Sequence, residues 1–367
     1  MRKSCLAVLL IVFSASCSKT TQEYLDDLDS VQPDVGTREF SLQETGVIFD
    51  AGQLGHEAFA GLATTESMRI DQALRALSHA CNYLGGARDN ALLQSDAAVL
   101  IGHLVTRIPI PPITRELVKF DNIKQAEDQL TALLEARKPL FVQSALAKLD
   151  SADEVLIAEG LAELRAASSE DFGRDITAWR AWYETRRAEL ESEFVSNSRE
   201  PLERLGGFEY PSASDARGVL FVFATWLQLY PDSGLYEVAV PAALTVARQA
   251  AVHALNEAMT FVQDTQVRAD VAVAMEGIAD PSFGLTLATK LRRERDPTTA
   301  AKMIRALRFY PGRKSIEAIF GSMANVDHPQ VDLIGAETLE ILTGVNFRDD
   351  DTAWAEWWES EGSKTWP

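Results

Sequence analysis

Residues 269–342 read ADVAVAMEGIADPSFGLTLATKLRRERDPTTAAKMIRALRFYPGRKSIEAIFGSMANVDHPQVDLIGAETLEIL, and a shift of 32 positions lays the stretch over itself. Ala269, Val271, Ala272, Ala274, Met275 and Ile278 fall on Ala301, Met303, Ile304, Ala306, Leu307 and Tyr310; a second shift reaches Leu333, Gly335, Ala336, Thr338, Leu339 and Leu342. Spacings of three and four put each set on one face of a helix. Behind the first two sets runs another helical pattern in the same register, with Gly284, Leu287, Ala288 and Leu291 matching Ile316, Ile319, Phe320 and Met323. The breaks are turn-forming: ADPSFG (279–284) and YPGRKS (310–315) within pairs, RDPTT (295–299) and NVDHPQ (325–330) between them. Proline suits the first turn of a helix but cannot continue one, and Asp or Asn before it can cap the next start. The repeating unit is therefore helix, tight turn, helix, linker.

Helix pairs with this period, turning at ADP and YPG, resemble the HEAT repeat family of α-solenoids. The resemblance is clear over 264–345 and looser over 66–190, where helix pairs are predicted at 68–84 with 91–107, 116–137 with 139–149, and 152–167 with 175–190. Tetratricopeptide repeats fit less well, since their period is longer and their aromatic signature is missing. Composition agrees with an all-α fold: 46% of residues are hydrophobic, and 14 Pro and 21 Gly are few for a chain of 367 built on strands and turns.

The stretch NSREPLERLGGFEYPSASDARG (197–218) reads as a junction between two helical segments. After it, GVLFVFATWLQLY (218–230) is apolar but too short to span a bilayer, which points to a buried helix. YEVAVPAALTVARQAAVHALNEAMTFVQ (236–263) reads as one long helix with Pro241 near its start. The layout is thus a signal peptide at 1–17, an acidic tether at 18–50, a helical-repeat segment at 51–196, the junction at 197–217 and a HEAT-like segment at 218–367.

One phrase occurs twice, 175 positions apart: DFGRDITAWRAWYE at 171–184 and NFRDDDTAWAEWWE at 346–359. Trp179 with Trp182 and Tyr183, and Trp354 with Trp357 and Trp358, stand at i, i+3 and i+4, one bulky apolar stripe on a helix. Asp175 and Asp350 stand four residues before the first Trp, where they can act as N-caps. The stripe suits either a helix that closes the apolar face of a solenoid or an exposed surface for a sugar ring or a protein partner. Closure is the reading the register favours, because each Trp helix takes the slot of a second helix. Similar bacterial HEAT-like proteins often end in a D-x-x-x-W-x-x-W helix, so the family resemblance implies the same.

MRKSCLAVLLIVFSASC opens with Arg2 and Lys3, continues with the apolar run LAVLLIVF at 6–13 and places Ser14, Ala15 and Ser16 before Cys17. This is the pattern of an export signal. It resembles a bacterial lipoprotein signal, which implies lipid attachment at Cys17 and an envelope location on the periplasmic or outer-membrane side; Ser14 departs from the aliphatic residue usual there. Cys5 would leave with the signal and Cys17 would carry lipid, so Cys81 has no partner for a disulfide.

Little else points to chemistry. The five histidines show no metal-ligand spacing, and His79 and Cys81, two apart on a helix, point about 200° from each other. No P-loop, nucleophile elbow or zinc-protease motif occurs. His253 and Glu257, one turn apart with Arg248 nearby, read as a salt bridge on a helix surface, and Asp349, Asp350 and Asp351 as helix capping rather than a calcium loop. A net charge of −19 disfavours nucleic acid and anionic membrane surfaces. The expectation is a non-catalytic interaction scaffold without cofactor or metal, whose partner is a protein with a basic or neutral face. The alternative is an envelope glycan-binding protein or enzyme with a site in the groove or at the Trp helices.

Overall fold

The computed structural model describes residues 57–366, apart from short breaks at 65–67, 86–89, 109–111, 114–115, 121–122, 137–140, 169, 231–233 and 349. The described chain is nearly all helix, with contacts mainly between neighbouring helices in a solenoid-like arrangement. It forms two compact units: Met1–Pro109 with Ala251–Pro367, and Ile110–Ala250. The linear layout with a junction at 197–217 differs from this division, and the reason lies in the first helices. These are α1 (57–64), α2 (Ile70–Gly85) and α3 (Ala91–Arg107), the last capped by Asn90, whose side chain accepts from the Leu93 N–H at 3.1 Å.

The second unit begins with the short strand β1 (Val118–Lys119), where the sequence predicts helix. It continues through α4 (Ile123–Ala136), α5 (Phe141–Leu149) and α6 (Glu154–Ser168). Helix α7 (Ile176–Leu205) runs 30 residues, well past the predicted end at 190 and through much of the expected junction. Its exposed middle has little apolar character for a periodicity reading to follow. Ion pairs one turn apart, such as Arg187–Glu191 and Arg204–Glu200, line that surface, while Ser198, Pro201 and Leu202 are buried farther along. Strand β2 (Phe208–Glu209) then pairs in parallel with β1, Val118 opposite Phe208. Helices α8 (Ala213–Leu229) and α9 (Tyr236–Phe261) follow, α9 contributing residues to both units.

Three contacts hold the strand pair in its unit. A Cβ on Gly206 would lie 2.4 Å from Ala242 Cβ, so only glycine lets the end of α7 meet α9 this closely. Gln249 of α9, itself buried, accepts from the Tyr210 N–H at 2.8 Å and donates to the Phe208 carbonyl at 2.9 Å. The buried Tyr210 hydroxyl donates to the Leu205 carbonyl at 2.7 Å. Helix α9 is long and apolar enough to cross a bilayer by composition, yet 67% of its most apolar window is buried inside the protein.

The first unit resumes with α10 (Thr265–Ile278), α11 (Phe283–Leu291), α12 (Pro297–Leu307), α13 (Arg313–Asn325) and α14 (Pro329–Thr343). Their order in space follows the register: α10 packs on α12 and α12 on α14, while α11 packs on α13. All six apolar positions of each of the first two aligned sets are buried. Helix α3 adds itself to the front of the row by packing on α10, with α2 behind it. A Cβ on Gly102 would sit 3.3 Å from Ala274 Cα, a close approach of two small-residue faces. Ser95 also donates to Asp270, which lies 3.4 Å from Lys302 on the next helix.

Side-chain caps mark the starts of α10, α12 and α14. Asp264 accepts from Val267 N–H at 3.0 Å, and Asp296, directly before Pro297, accepts from Thr299 N–H at 2.8 Å. At α14 the cap is His328 rather than a neighbouring Asp or Asn: its Nδ1 accepts from the Gln330 N–H at 3.2 Å. Helix α10 ends with Ala279 in the left-handed region at φ 51°.

The Thr299 hydroxyl and N–H hold the Asp296 carboxyl below its ordinary range. A depressed folded pKa stabilises the fold above the unfolded value near 4 and loses that contribution as pH falls through the folded one. Asp296→Asn keeps a capping oxygen but removes this dependence. In chemical denaturation at a series of pH values, the stability gap between wild type and Asp296→Asn is expected to shrink as pH drops below about 4; a constant gap contradicts the assignment.

Candidate interaction site at the two tryptophan corners

The repeated phrase folds the same way twice. In each copy a Phe, a left-handed residue and a capping Asp precede the Trp helix. Asp175 accepts from Ala178 N–H at 2.9 Å and Asp350 from Ala353 N–H at 2.9 Å. The residue after each Phe is in the left-handed region, Gly173 at φ 57° and Arg348 at φ 54°. Its carbonyl accepts the indole N–H of the first tryptophan: Trp179 Nε1 to Gly173 at 3.0 Å, Trp354 Nε1 to Arg348 at 2.9 Å.

The rings repeat as well. Phe172 stands edge-on to Trp179 at 4.9 Å, and Phe347 to Trp354 at 5.0 Å. Trp182 meets Trp179 at 6.0 Å and Trp357 meets Trp354 at 5.9 Å, again edge to face. Such pairs are favoured by the ring quadrupoles and add roughly 0.5–1.5 kcal/mol beyond burial. A buried indole needs a partner for its N–H, and the left-handed turn supplies one from three residues before the helix begins.

Burial separates the roles within each stripe. Trp179 and Trp354 are both wholly buried. Trp182, Tyr183, Trp357 and Trp358 are half-buried. In the second unit Trp179 belongs to a core with Val142, Leu146, Leu149, Leu161 and Leu164, so this corner covers α5 and α6 before continuing as α7. In the first unit Trp354 heads α15 (Asp351–Trp357), which passes through a π-turn (Trp358–Gly362) into α16 (Ser363–Thr365). Phe320 of α13 lies 6.2 Å from Trp354 and 5.7 Å from Trp358, so the helix packs over α13. Gly362 fits beneath the outer rings, where a Cβ would come within 2.9 Å of both Trp357 and Trp358.

The other residues singled out in the sequence do not assemble into a site. Cys17 and the whole of 1–50 lie outside the described residues, as does Asp349. Asp350 is a helix cap, and among the described residues no group of three or more His, Cys, Asp or Glu is placed to hold a metal ion. His253 and Glu257 are both half-buried on α9. His79 and Cys81 are buried in α2. The feature hardest to foresee was the left-handed residue: Gly173 announces it, Arg348 does not. Comparison with known protein families, curated proteins and solved structures finds no match for this chain.

If the inner tryptophans hold the corners together, shortening them costs stability. Trp179→Phe and Trp354→Phe each leave a carbonyl unpaired and a cavity, and are expected to destabilise their unit by roughly 2–3 kcal/mol. Trp182→Phe and Trp357→Phe should cost under about 1 kcal/mol. Denaturant titration followed by circular dichroism checks this; equal losses at inner and outer positions would contradict the division of roles.

Proposed function

We propose that the protein is a non-catalytic scaffold, HEAT-like in its repeats, which presents helical surfaces to a protein partner while tethered to the cell envelope by lipid on Cys17. The observation that carries the binding role is the outer face of α14. Leu333 and Ile341 are 58% and 61% exposed, two turns apart on one face with Glu337 between them. Beside them runs an open groove of about 620 Å³ edged by Asp332, Glu337 and Glu340. Arg348 is the one cation in its lining, against three carboxylates, so exposed apolar side chains with a mainly acidic edge suit a partner helix with an apolar stripe and basic flanks. The chain's net charge of −19 favours the same partner chemistry at long range.

A photo-crosslinking residue at Glu337, used in cells that express the protein, tests this reading. A partner adduct is expected, and Leu333→Asp with Ile341→Asp should abolish it; both positions are exposed, so the fold should change by less than about 0.5 kcal/mol each. An adduct that survives the double substitution contradicts the assignment. For the anchor, the intact mass of protein extracted from membranes should include a diacylglyceryl group, and Cys17→Ala should release the chain from the membrane fraction. An unmodified mass, or membrane retention of Cys17→Ala, rules the anchor out.

A further inference from the structure

Most cations of the helical row face a carboxylate. Lys302 pairs with Asp270, Arg305 and Arg308 with Glu276, and Arg292 and Arg313 with Glu317. Among the exceptions, two stand together at a cavity of about 520 Å³ in the first unit, where the end of α9 and the start of α10 meet α11. Lys290 and Arg293 both line it, and neither forms an ion pair among the described residues.

The one carboxylate in the cavity wall is already committed. Glu294, 5% exposed, accepts from Arg268 Nε at 2.8 Å and Nη2 at 2.7 Å through one oxygen. Its other oxygen accepts the backbone N–H groups of Arg295 at 2.9 Å and Asp296 at 3.1 Å. Both of its oxygens are thus taken up by Arg268 and the backbone, and it acts on Lys290 only through its charge. Lys290 uses one proton on the Thr260 carbonyl at 3.0 Å. Two of its three donors remain for another acceptor.

The electrostatics point the same way. Burial lowers the Lys290 pKa, and the guanidinium groups of Arg268 and Arg293 lower it further, against only Glu294. Three cations thus converge on a wall with a single carboxylate, in a chain of net charge −19. Lys290 is half-buried and Arg293 exposed at the mouth, so an anion entering from solvent meets about two uncompensated positive charges in a concave place, one of them partly desolvated. Thr286 and Thr289 add hydroxyl donors, and Met259 with Leu285 gives the same cavity an apolar wall.

We propose that this cavity binds the phosphate group of a small molecule, held by Lys290 and Arg293. A phosphate near neutral pH carries close to two negative charges, which matches the local excess, and its oxygens accept from ammonium, guanidinium and hydroxyl donors together. The apolar wall then meets the carbon portion of a phosphate monoester. No covalent step is involved; the site recognises and retains the ligand.

Isothermal titration of the purified full chain with inorganic phosphate, and separately with glycerol 3-phosphate, at constant ionic strength tests the site. Saturable one-to-one binding is expected, weakened about tenfold or more by Lys290→Met and by Arg293→Gln. Lys314→Gln, an exposed cation on α13, should leave it unchanged. Tighter binding of glycerol 3-phosphate identifies a monoester as the ligand, and tighter binding of inorganic phosphate identifies the free ion. Arg293 is exposed, so Arg293→Gln keeps the test valid if Lys290→Met fails to fold. No saturation up to roughly 10 mM, or an equal loss in Lys314→Gln, overturns the proposal.

Discussion

The first unit depends on the packing of α3 against α10. Ser95 and Asp270 are 175 positions apart, yet they share a hydrogen bond, and Gly102 brings the two backbones together at Ala274. Small side chains on both faces allow this closeness, and close approach maximises the dispersion contacts that a helix pair can make. Through it, helices from the N-terminal part of the chain become the front of the row α10, α12, α14. The intervening residues form a unit of their own. A solenoid is stabilised by nearest-neighbour interfaces, so an additional helix pair at one end buries a face that would otherwise be open to water.

The tryptophan corners solve a related problem locally. A second helix that starts after a loop must enter at a fixed angle, and three devices set it: a left-handed residue, an Asp cap and an indole locked to a carbonyl. The two copies agree within about 0.1 Å in the indole, capping and ring distances, although Gly173 in one is Arg348 in the other. The Arg accepts a left-handed backbone that costs roughly 1 kcal/mol relative to glycine. The buried Trp354 and its bond offset that cost. Repetition of the phrase therefore marks a repeated way of seating a helix, with the inner ring as core and the outer rings as its flank.

Much of this was legible in the sequence where periodicity is strict. The 32-residue register located α10 to α14, because a helix buried along one stripe must repeat its apolar positions at three and four. The Asp-Pro start of α12 is legible from its chemistry, while at α14 His328 caps the helix in place of the neighbouring Asp and Asn. Helix α7 runs past its expected end because its exposed face is held by ion pairs and carries no apolar period. The partnership of α3 with α10 left no local trace, since Gly102 and Ala274 are unremarkable until a distant helix arrives. The basic cavity was equally silent: Lys290 and Arg293 look like any charged helix end until burial and the prior commitment of Glu294 are seen together.

The central claim, that residues 91–107 stack on 265–278 to make one unit from two distant stretches, is open to a direct measurement. Cysteines placed at Ser95 and Asp270 should be joined by a short bismaleimide in the native chain, giving a closed loop that migrates anomalously on a denaturing gel and stays covalently linked after proteolysis within the second unit. Full modification of both cysteines without any crosslink would contradict the arrangement.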